Sequence, residues 1–493
     1  MIRFLLAAAF LISFGLTGST AAHPPAPPAP LNGQWKGLLK LLGGEITVII
    51  TIVPLTGGSY YAALDAPQPR ISRMPVEVGL KGTDLTLRIE QAGSSFAGQV
   101  LNGGATLRGT WKQPGVSAPM VLRRAASAGP AVSKFKLTPP YRELEVSFLN
   151  PATRHRLAGT LTEPAGEGPF PAVVLLSDSG PQGRDADVDG YRMFGQLADY
   201  LSRHGVAVLR FDDRGVGRSG GTYASATTAD FLTDAQAALA FVRTRKLVAA
   251  HRVGLLGHGE GANVALLTAA APGRAPAFVV SLAGYGQPGD EVMLRQQGEI
   301  MRLIGSDPAQ VKAAQEVYQR TVDLIRQTPD NAEARPKVAA LLSSTNAGID
   351  AGMAKARAAQ LTSPWSRYFF DFNPQTQLPK VPCPVLLLNG TADLQVSAKR
   401  NMVPLHRALH RARRVVTSRR LDGVNHLFQP PPARWPMVNG VQQPAFSPEA
   451  LKLIHHWVAV ETKVPGGPLP LTVKRPPPAR KPGRTPSTTK ARG

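Results

Sequence analysis

Cysteine, acidic residues and long apolar runs are all scarce in this 493-residue sequence. The one cysteine, Cys383, excludes an internal disulfide, and its place in an apolar run predicts a small buried side chain. The apolar run at residues 4–16 is too short to cross a bilayer. The chain is therefore expected to depend on its apolar core, for which 43% hydrophobic residues give ample material.

The shortage of acidic residues leaves 56 Lys+Arg against 33 Asp+Glu, a net charge of +23. Residues 463–493 contribute eight basic residues and no acidic one, and the remaining excess is diffuse, with no basic helix or aromatic-interleaved stripe. This distribution makes nucleic acid an unlikely partner. The Pro-rich basic segment 464–493 is predicted to be a disordered tail. Either it contacts anionic envelope polymers or lipid head groups weakly, or it is solvated without a partner.

The N-terminus predicts export. Arg3 precedes the short apolar run, and small residues at 19–22 suit signal-peptidase cleavage, so residues 1–22 are interpreted as a signal peptide. The mature protein is then expected in the periplasm or outside the cell. The Pro/Ala segment 23–30 that follows is predicted to be an extended linker.

Two folded domains are predicted after this leader. Residues 31–124 alternate apolar and polar side chains between Gly-rich breaks, which favours a small antiparallel all-β domain of six to eight strands, as a sheet or a half-open barrel. That region has no His and no Cys, so nothing in it indicates catalytic or metal chemistry. Residues 125–140 read as a linker.

From residue 141 to 463 short apolar runs alternate with helical stretches. This pattern predicts an α/β domain with a mostly parallel sheet and helices on both faces. An insertion at about 287–375 precedes the last long apolar strand and is predicted to form a helical cap. Within it, Asp307 followed by Pro308 and Gln310 predicts a capped helix start.

Five segments in this domain resemble the α/β-hydrolase superfamily, in the serine-aminopeptidase-like branch that includes secreted bacterial esterases. In chain order they are SDSGPQGRD (177–185), FDDRGVGRSGG (211–221), GHGEG (257–261), LNGTADLQV (388–396) and NHLFQ (425–429). The all-β region resembles the leading module of such hydrolases more weakly. The resemblance implies a carboxylic-ester hydrolase fold and an acyl- or ester-like small-molecule ligand.

The serine that this family uses as nucleophile is missing. In the elbow G-x-S-x-G the middle position is Gly259, which cannot form an acyl-enzyme. The other triad members are present in family order: Asp393 follows a late strand, and His426 comes 33 residues later. In the family's scheme Asp393 orients the imidazole and His426 transfers protons.

The oxyanion hole also departs from the family. The resemblance assigns its donors to the backbone of Glu260, next to the nucleophile position, and to the loop that contains Ser179 and Gly180. That loop carries Asp178 where the family has glycine. An inward carboxylate would oppose an oxyanion, whereas one that faces solvent would be harmless, and the sequence leaves both arrangements open.

Two functions remain. The first is a secreted hydrolase-like protein that binds an acyl or ester ligand but is catalytically impaired. The second is an active carboxylic-ester, peptide or thioester hydrolase that uses Asp393 and His426 by another route. Replacing Gly259 with serine is expected to restore hydrolysis, only in part if Asp178 faces inward. No cofactor is expected, and no metal site, because the ten His and one Cys show no ligand spacing.

Overall fold

The computed structural model describes residues 31–125 and 139–463, apart from short internal segments at 42–43, 55–59, 67–70, 90–92, 114–115, 304, 346–350, 411–414 and 439. The predicted signal peptide (1–22), the linker at 23–30, most of the linker at 125–140 and the basic tail (464–493) lie outside the described residues. The domain boundaries stay predictions.

The N-terminal region is an antiparallel β domain, as predicted. Among the described residues, eight strands form a closed barrel and not a half-open one, because the first and last strands pair at Trp35 and Arg124. Val48, Ile50 and Ile52 point into its apolar interior, which confirms the alternating pattern. The strands are β1 (Gly33–Leu41), β2 (Gly44–Pro54), β3 (Tyr60–Ala66), β4 (Ile71–Lys81), β5 (Asp84–Ile89), β6 (Ser94–Leu101), β7 (Thr106–Gln113) and β8 (Val116–Arg124).

The second region contains a larger mixed sheet. Its strand order among the described residues is β18-β17-β16-β15-β11-β14-β10-β9, and all neighbours are parallel except β9–β10 and β10–β14. The remaining strands form two short hairpins. The bounds are β9 (Tyr141–Leu149), β10 (Arg156–Pro164), β11 (Phe170–Leu176), β12 (Asp187–Val188), β13 (Tyr191–Arg192), β14 (Ala207–Phe211), β15 (Val248–His258), β16 (Val279–Leu282), β17 (Val385–Gly390), β18 (Val416–Leu421), β19 (Met437–Val438) and β20 (Val441–Gln442).

Helices pack against this sheet and form the predicted insertion. The first three lie between strands of this sheet along the chain: α1 (Met193–Arg203), α2 (Thr228–Arg243) and α3 (Glu260–Ala270). Between β16 and β17 the chain forms α4 (Gly289–Leu303), α5 (Pro308–Gln327), α6 (Asn331–Thr345), α7 (Ala351–Leu361), α8 (Pro364–Asp371) and α9 (Pro374–Gln377). The last two are α10 (Ala398–His410) and α11 (Pro448–Glu461).

The inserted helices have an apolar cluster of their own, which includes Tyr318, Val322 and Phe370. Asp307 caps α5 as predicted, since its side chain accepts the Ala309 N–H and Gln310 reaches back to the Asp307 N–H. In the part of the chain that is described, no helix is both long and apolar enough to cross a membrane.

The parallel strands β11, β15, β16 and β17 end at the same edge of the sheet. Strand β11 is followed by Asp178, β15 ends at His258, and β17 is followed by Asp393. This edge therefore gathers Asp178 and Asp393, which the sequence predicted for the site, together with His258, which it did not. Ligands of open α/β sheets bind at such carboxyl ends.

Candidate active site

Gly259 forms the sharp turn between β15 and α3. Its backbone has φ 52° and ψ −116°, in the region of positive φ that L side chains rarely adopt, and its N–H donates to the Leu282 carbonyl. Its neighbours are tightly packed: a Cβ on Gly257 would lie 2.0 Å from the Gly261 carbonyl oxygen, and one on Gly261 would lie 2.3 Å from the Leu176 carbonyl oxygen. The turn therefore has the sharp, tightly packed geometry of a nucleophile elbow, with glycine at its middle position.

Asp178 lies directly over this turn. A Cβ built on Gly259 would lie 1.8 Å from Asp178 Oδ1, so the carboxylate occupies the space that a side chain at position 259 would need. Asp178 is 5% exposed. Of the two arrangements that the sequence left open, the structure has the inward one.

Both oxygens of the Asp178 carboxylate are hydrogen-bonded inside the site. Oδ1 accepts the backbone N–H of Glu260 at 2.9 Å, and Oδ2 is 2.9 Å from Nε2 of His426. The loop that carries Asp178 is fixed by Gln182, whose side-chain amide donates to the Asp178 carbonyl. Asp213 holds the same loop by accepting the Gln182 N–H at 2.8 Å.

Asp393 and His426 are in contact, as the family resemblance implies. Nδ1 of His426 is 2.8 Å from Asp393 Oδ2, while Asp393 Oδ1 accepts the N–H groups of Gln395 and Val396. The backbone bonds fix the carboxylate, and the carboxylate in turn fixes the ring. His426 is thus held between two carboxylates, Asp178 and Asp393, and is 4% exposed.

The charges of these groups depend on one another. Burial alone would lower the pKa of His426, but the carboxylates of Asp393 and Asp178 outweigh burial and raise this pKa to about 10. Burial opposes ionisation of Asp178, yet hydrogen bonding and charge attraction from His426 keep the pKa of Asp178 below its usual value. The arrangement is a buried ion pair in the place of a serine–histidine hydrogen bond.

His258, which the sequence analysis did not select, belongs to the same cluster. Its Nε2 donates to the His426 carbonyl at 2.8 Å, and the two imidazole rings have centroids 4.5 Å apart. Burial lowers the pKa of His258 to about 4. Its position one residue before the elbow glycine was the only sequence signal for it.

The predicted oxyanion residues have different partners in the structure. The Glu260 N–H is already bonded to Asp178, and the buried Glu260 side chain accepts hydrogen bonds from Thr228 and Trp365. Burial raises the pKa of Glu260 to about 7. Ser179 bonds to Tyr285, whose pKa burial raises well above its usual value.

The barrel reaches this site through Tyr61. Gly180 has φ 82°, and a Cβ built on it would lie 2.1 Å from the Tyr61 hydroxyl of β3. The sequence indicates no catalytic or metal chemistry in the β domain, and the structure adds that Tyr61 of this domain lies against the loop that follows Asp178. A tyrosine in an alternating strand looks like any core residue, so only the packing of the barrel on this loop identifies it.

In chemical terms, the Asp178 carboxylate occupies three positions that ester hydrolysis assigns to a serine side chain and to an oxyanion. A serine oxygen would contact His426, a developing oxyanion would accept the Glu260 N–H, and the serine Cβ would fill the space at Gly259. Asp178 makes the first two contacts and fills the third position.

Comparison with known proteins finds hydrolase-like relatives of part of the chain. Residues 188–428 match the family model described as serine aminopeptidase, S33. The esterase EstD of Thermotoga maritima is 35% identical over 156 residues, which cover 31% of this chain and 37% of that protein. The chain thus spans just over a third of the length of that relative.

Two solved structures resemble the chain at low identity. The α/β hydrolase GrgF of Penicillium sp. sh18 is 16% identical with a TM-score of 0.41, and the match covers 66% of this chain and 100% of that one. A hypothetical protein of Pseudomonas aeruginosa is 19% identical with a TM-score of 0.39, covering 59% and 89%. Because both TM-scores are low, the similarity to a family is taken from the sequence match, and the fold from that match and the strand order of the larger sheet. On that basis, residues 188–428 are similar to the serine aminopeptidase family, and the larger domain has an α/β-hydrolase fold.

Proposed function

We propose that this chain is an exported hydrolase-like protein in which serine-dependent ester hydrolysis is impaired, and which keeps a site for an acyl- or ester-type ligand. The family match and the esterase relative support the hydrolase-like class. The impairment is proposed from the residues of this chain.

The observation that carries the proposal is the Asp178 carboxylate at the elbow. Gly259 has no nucleophilic atom, and Asp178 uses both the Glu260 N–H and the His426 imidazole. Loss of the serine in a serine protease costs on the order of 10⁶ in turnover, and what survives comes from the oxyanion hole and binding. Here the oxyanion donor is also engaged, so that residual route is blocked as well.

The acyl-type ligand is proposed from the helices inserted before β17. Trp365 and Tyr368 of α8 are partly exposed, and Trp365 donates to the Glu260 side chain at 2.8 Å. Phe369, Phe370 and Phe372 are buried, so only part of this aromatic stretch is available to a ligand. Its apolar surface beside the elbow suits an acyl chain better than a charged group.

Export and the partners of the tail are proposed from the sequence alone. The predicted signal peptide at 1–22 supports a periplasmic or extracellular location, and the basic segment 464–493 supports weak, salt-sensitive contact with anionic polymers or lipid head groups.

A fluorophosphonate probe and p-nitrophenyl esters test the impairment. The native protein should not be labelled and should not turn over the esters. Gly259→Ser alone should gain little, since its side chain meets Asp178. The double variant Gly259→Ser with Asp178→Gly should be labelled by the probe. Its ester hydrolysis should be several orders of magnitude faster than that of the native protein. Adding His426→Ala should abolish that gain.

The alternative is an active hydrolase that uses Asp393 and His426 without a serine. It predicts ester turnover by the native protein at an ordinary ~10 s⁻¹, with no probe labelling and with loss in His426→Ala. That result would overturn the proposed impairment and establish the alternative.

A further inference from the structure

Three side chains with metal-binding atoms converge at the edge of the larger sheet. Asp178 follows β11, His258 ends β15, and His426 lies beyond β18. All three are buried, and one ligand atom from each lies within 4.8 Å of the others. We propose that Asp178, His258 and His426 bind one divalent transition-metal ion of the zinc class. This goes beyond the proposed function, because cation binding at these side chains depends neither on an ester ligand nor on the loss of ester hydrolysis.

The donor types fit such an ion. Two imidazole nitrogens and one carboxylate oxygen are a ligand set that Zn²⁺ uses when a fourth position is left for water. Gly259 contributes no side-chain atom to this region, and the Asp178 carboxylate, one of the proposed ligands, occupies the space that such a side chain would fill.

Each proposed ligand is already oriented by an outer partner. His426 donates from Nδ1 to Asp393, which leaves its Nε2 for the ion. His258 donates from Nε2 to the His426 carbonyl, so the lone pair of the neutral ring is on Nδ1. Asp178 accepts the Glu260 N–H on Oδ1, which leaves Oδ2. Metal-binding histidines generally have such partners, and these fix the ring orientation and the tautomer.

Binding requires a small local change. The 2.9 Å hydrogen bond between Asp178 Oδ2 and His426 Nε2 must open, since two ligands at about 2.0–2.1 Å from a tetrahedral ion are roughly 3.3 Å apart. The ion replaces the proton between these atoms, and that proton leaves to solvent. The two carboxylates, Asp178 and Asp393, balance the charge of a divalent ion.

The test is direct metal binding by the untagged full chain. After dialysis against a chelator, the protein is titrated with Co²⁺ and with Zn²⁺, followed by visible Co²⁺ absorption and by metal analysis. One equivalent per chain is expected, with a Co²⁺ spectrum typical of tetrahedral coordination. Zn²⁺ should displace Co²⁺. No ester is present, so the outcome is independent of the hydrolysis experiment.

Variants assign the ligands. His258→Gln and Asp178→Asn should each weaken binding by at least about 100-fold, and Asp393→Asn, which changes only an outer partner, by about 10- to 100-fold. His251→Gln is the matched control, because His251 is exposed on the same strand β15. Circular dichroism confirms that each variant is folded, and the isosteric Asp178→Asn and Asp393→Asn decide the matter if His258→Gln does not fold. Absence of stoichiometric binding by the native chain, or equal binding by all variants and the control, overturns the proposal.

Discussion

The barrel and the edge of the larger sheet bury opposite kinds of side chain. The barrel interior is apolar, with Trp35, Ile50 and Phe96 fully buried. The sheet edge buries Asp178, Asp393 and His426 to a similar degree. Apolar burial stabilises roughly in proportion to area, whereas a buried charge is tolerated only while its partner is present. The two regions should therefore respond to substitution by different rules.

The largest effect is expected from Trp35→Ala in the barrel. Trp35 is fully buried, its indole N–H donates to the Leu31 carbonyl, and Arg124 lies over its ring at 4.3 Å. Truncation should lower the free energy of unfolding by about 4 kcal/mol, through lost apolar burial and a cavity. Urea titration followed by circular dichroism measures it. Leu38→Ala on the same strand is the control, because Leu38 is 54% exposed, and equal losses would contradict the role given to the core.

A somewhat smaller effect is expected from His426→Ala at the sheet edge. It leaves Asp178 and Asp393 facing each other without the cation between them, which should cost about 3 kcal/mol. Because the cost comes from the abandoned carboxylates, adding Asp178→Asn should recover part of it. A barrel position would show no such recovery. Simple additivity of the two substitutions in urea titrations would argue against a coupled cluster.

Gly259→Ala should have the smallest effect of the three. The new Cβ meets Asp178 Oδ1, and overpacking of this kind costs about 2 kcal/mol. In an Asp178→Gly background the cost should fall to that of backbone strain alone. Gly205→Ala is the control for a substitution at positive φ without a clash, since Gly205 has φ 82° and no atom within 4 Å of the built Cβ. If Gly259→Ala destabilises the Asp178→Gly variant as much as it destabilises the native protein, contact of the new Cβ with Asp178 is not the cause of the destabilisation.

Local sequence patterns predicted much of the fold. Alternation at Val48, Ile50 and Ile52 identified the barrel face, and the capping residues at 307–310 identified the start of α5. These signals depend on neighbours within a few positions. Closure of the barrel depends on pairing between β1 and β8, nearly the whole domain apart, so the half-open alternative could not be excluded.

The candidate site was predictable only in part. Chain order and family motifs selected Asp393 and His426, and the structure brings them together. The direction of Asp178, the approach of Tyr61 to Gly180 and the contact of His258 with His426 all depend on tertiary packing between distant segments. The identity of a single residue, such as a tyrosine in a strand, does not show whether its side chain packs in the core or lies at the functional site.

The contact between Gly259 and Asp178 couples these two positions. Asp178 in its present orientation is incompatible with any side chain at position 259, because the built Cβ and Oδ1 would be 1.8 Å apart. A serine at 259 therefore requires the carboxylate at 178 to turn away or to be replaced. For anyone who redesigns this elbow, the first position to change is consequently 178 and not 259.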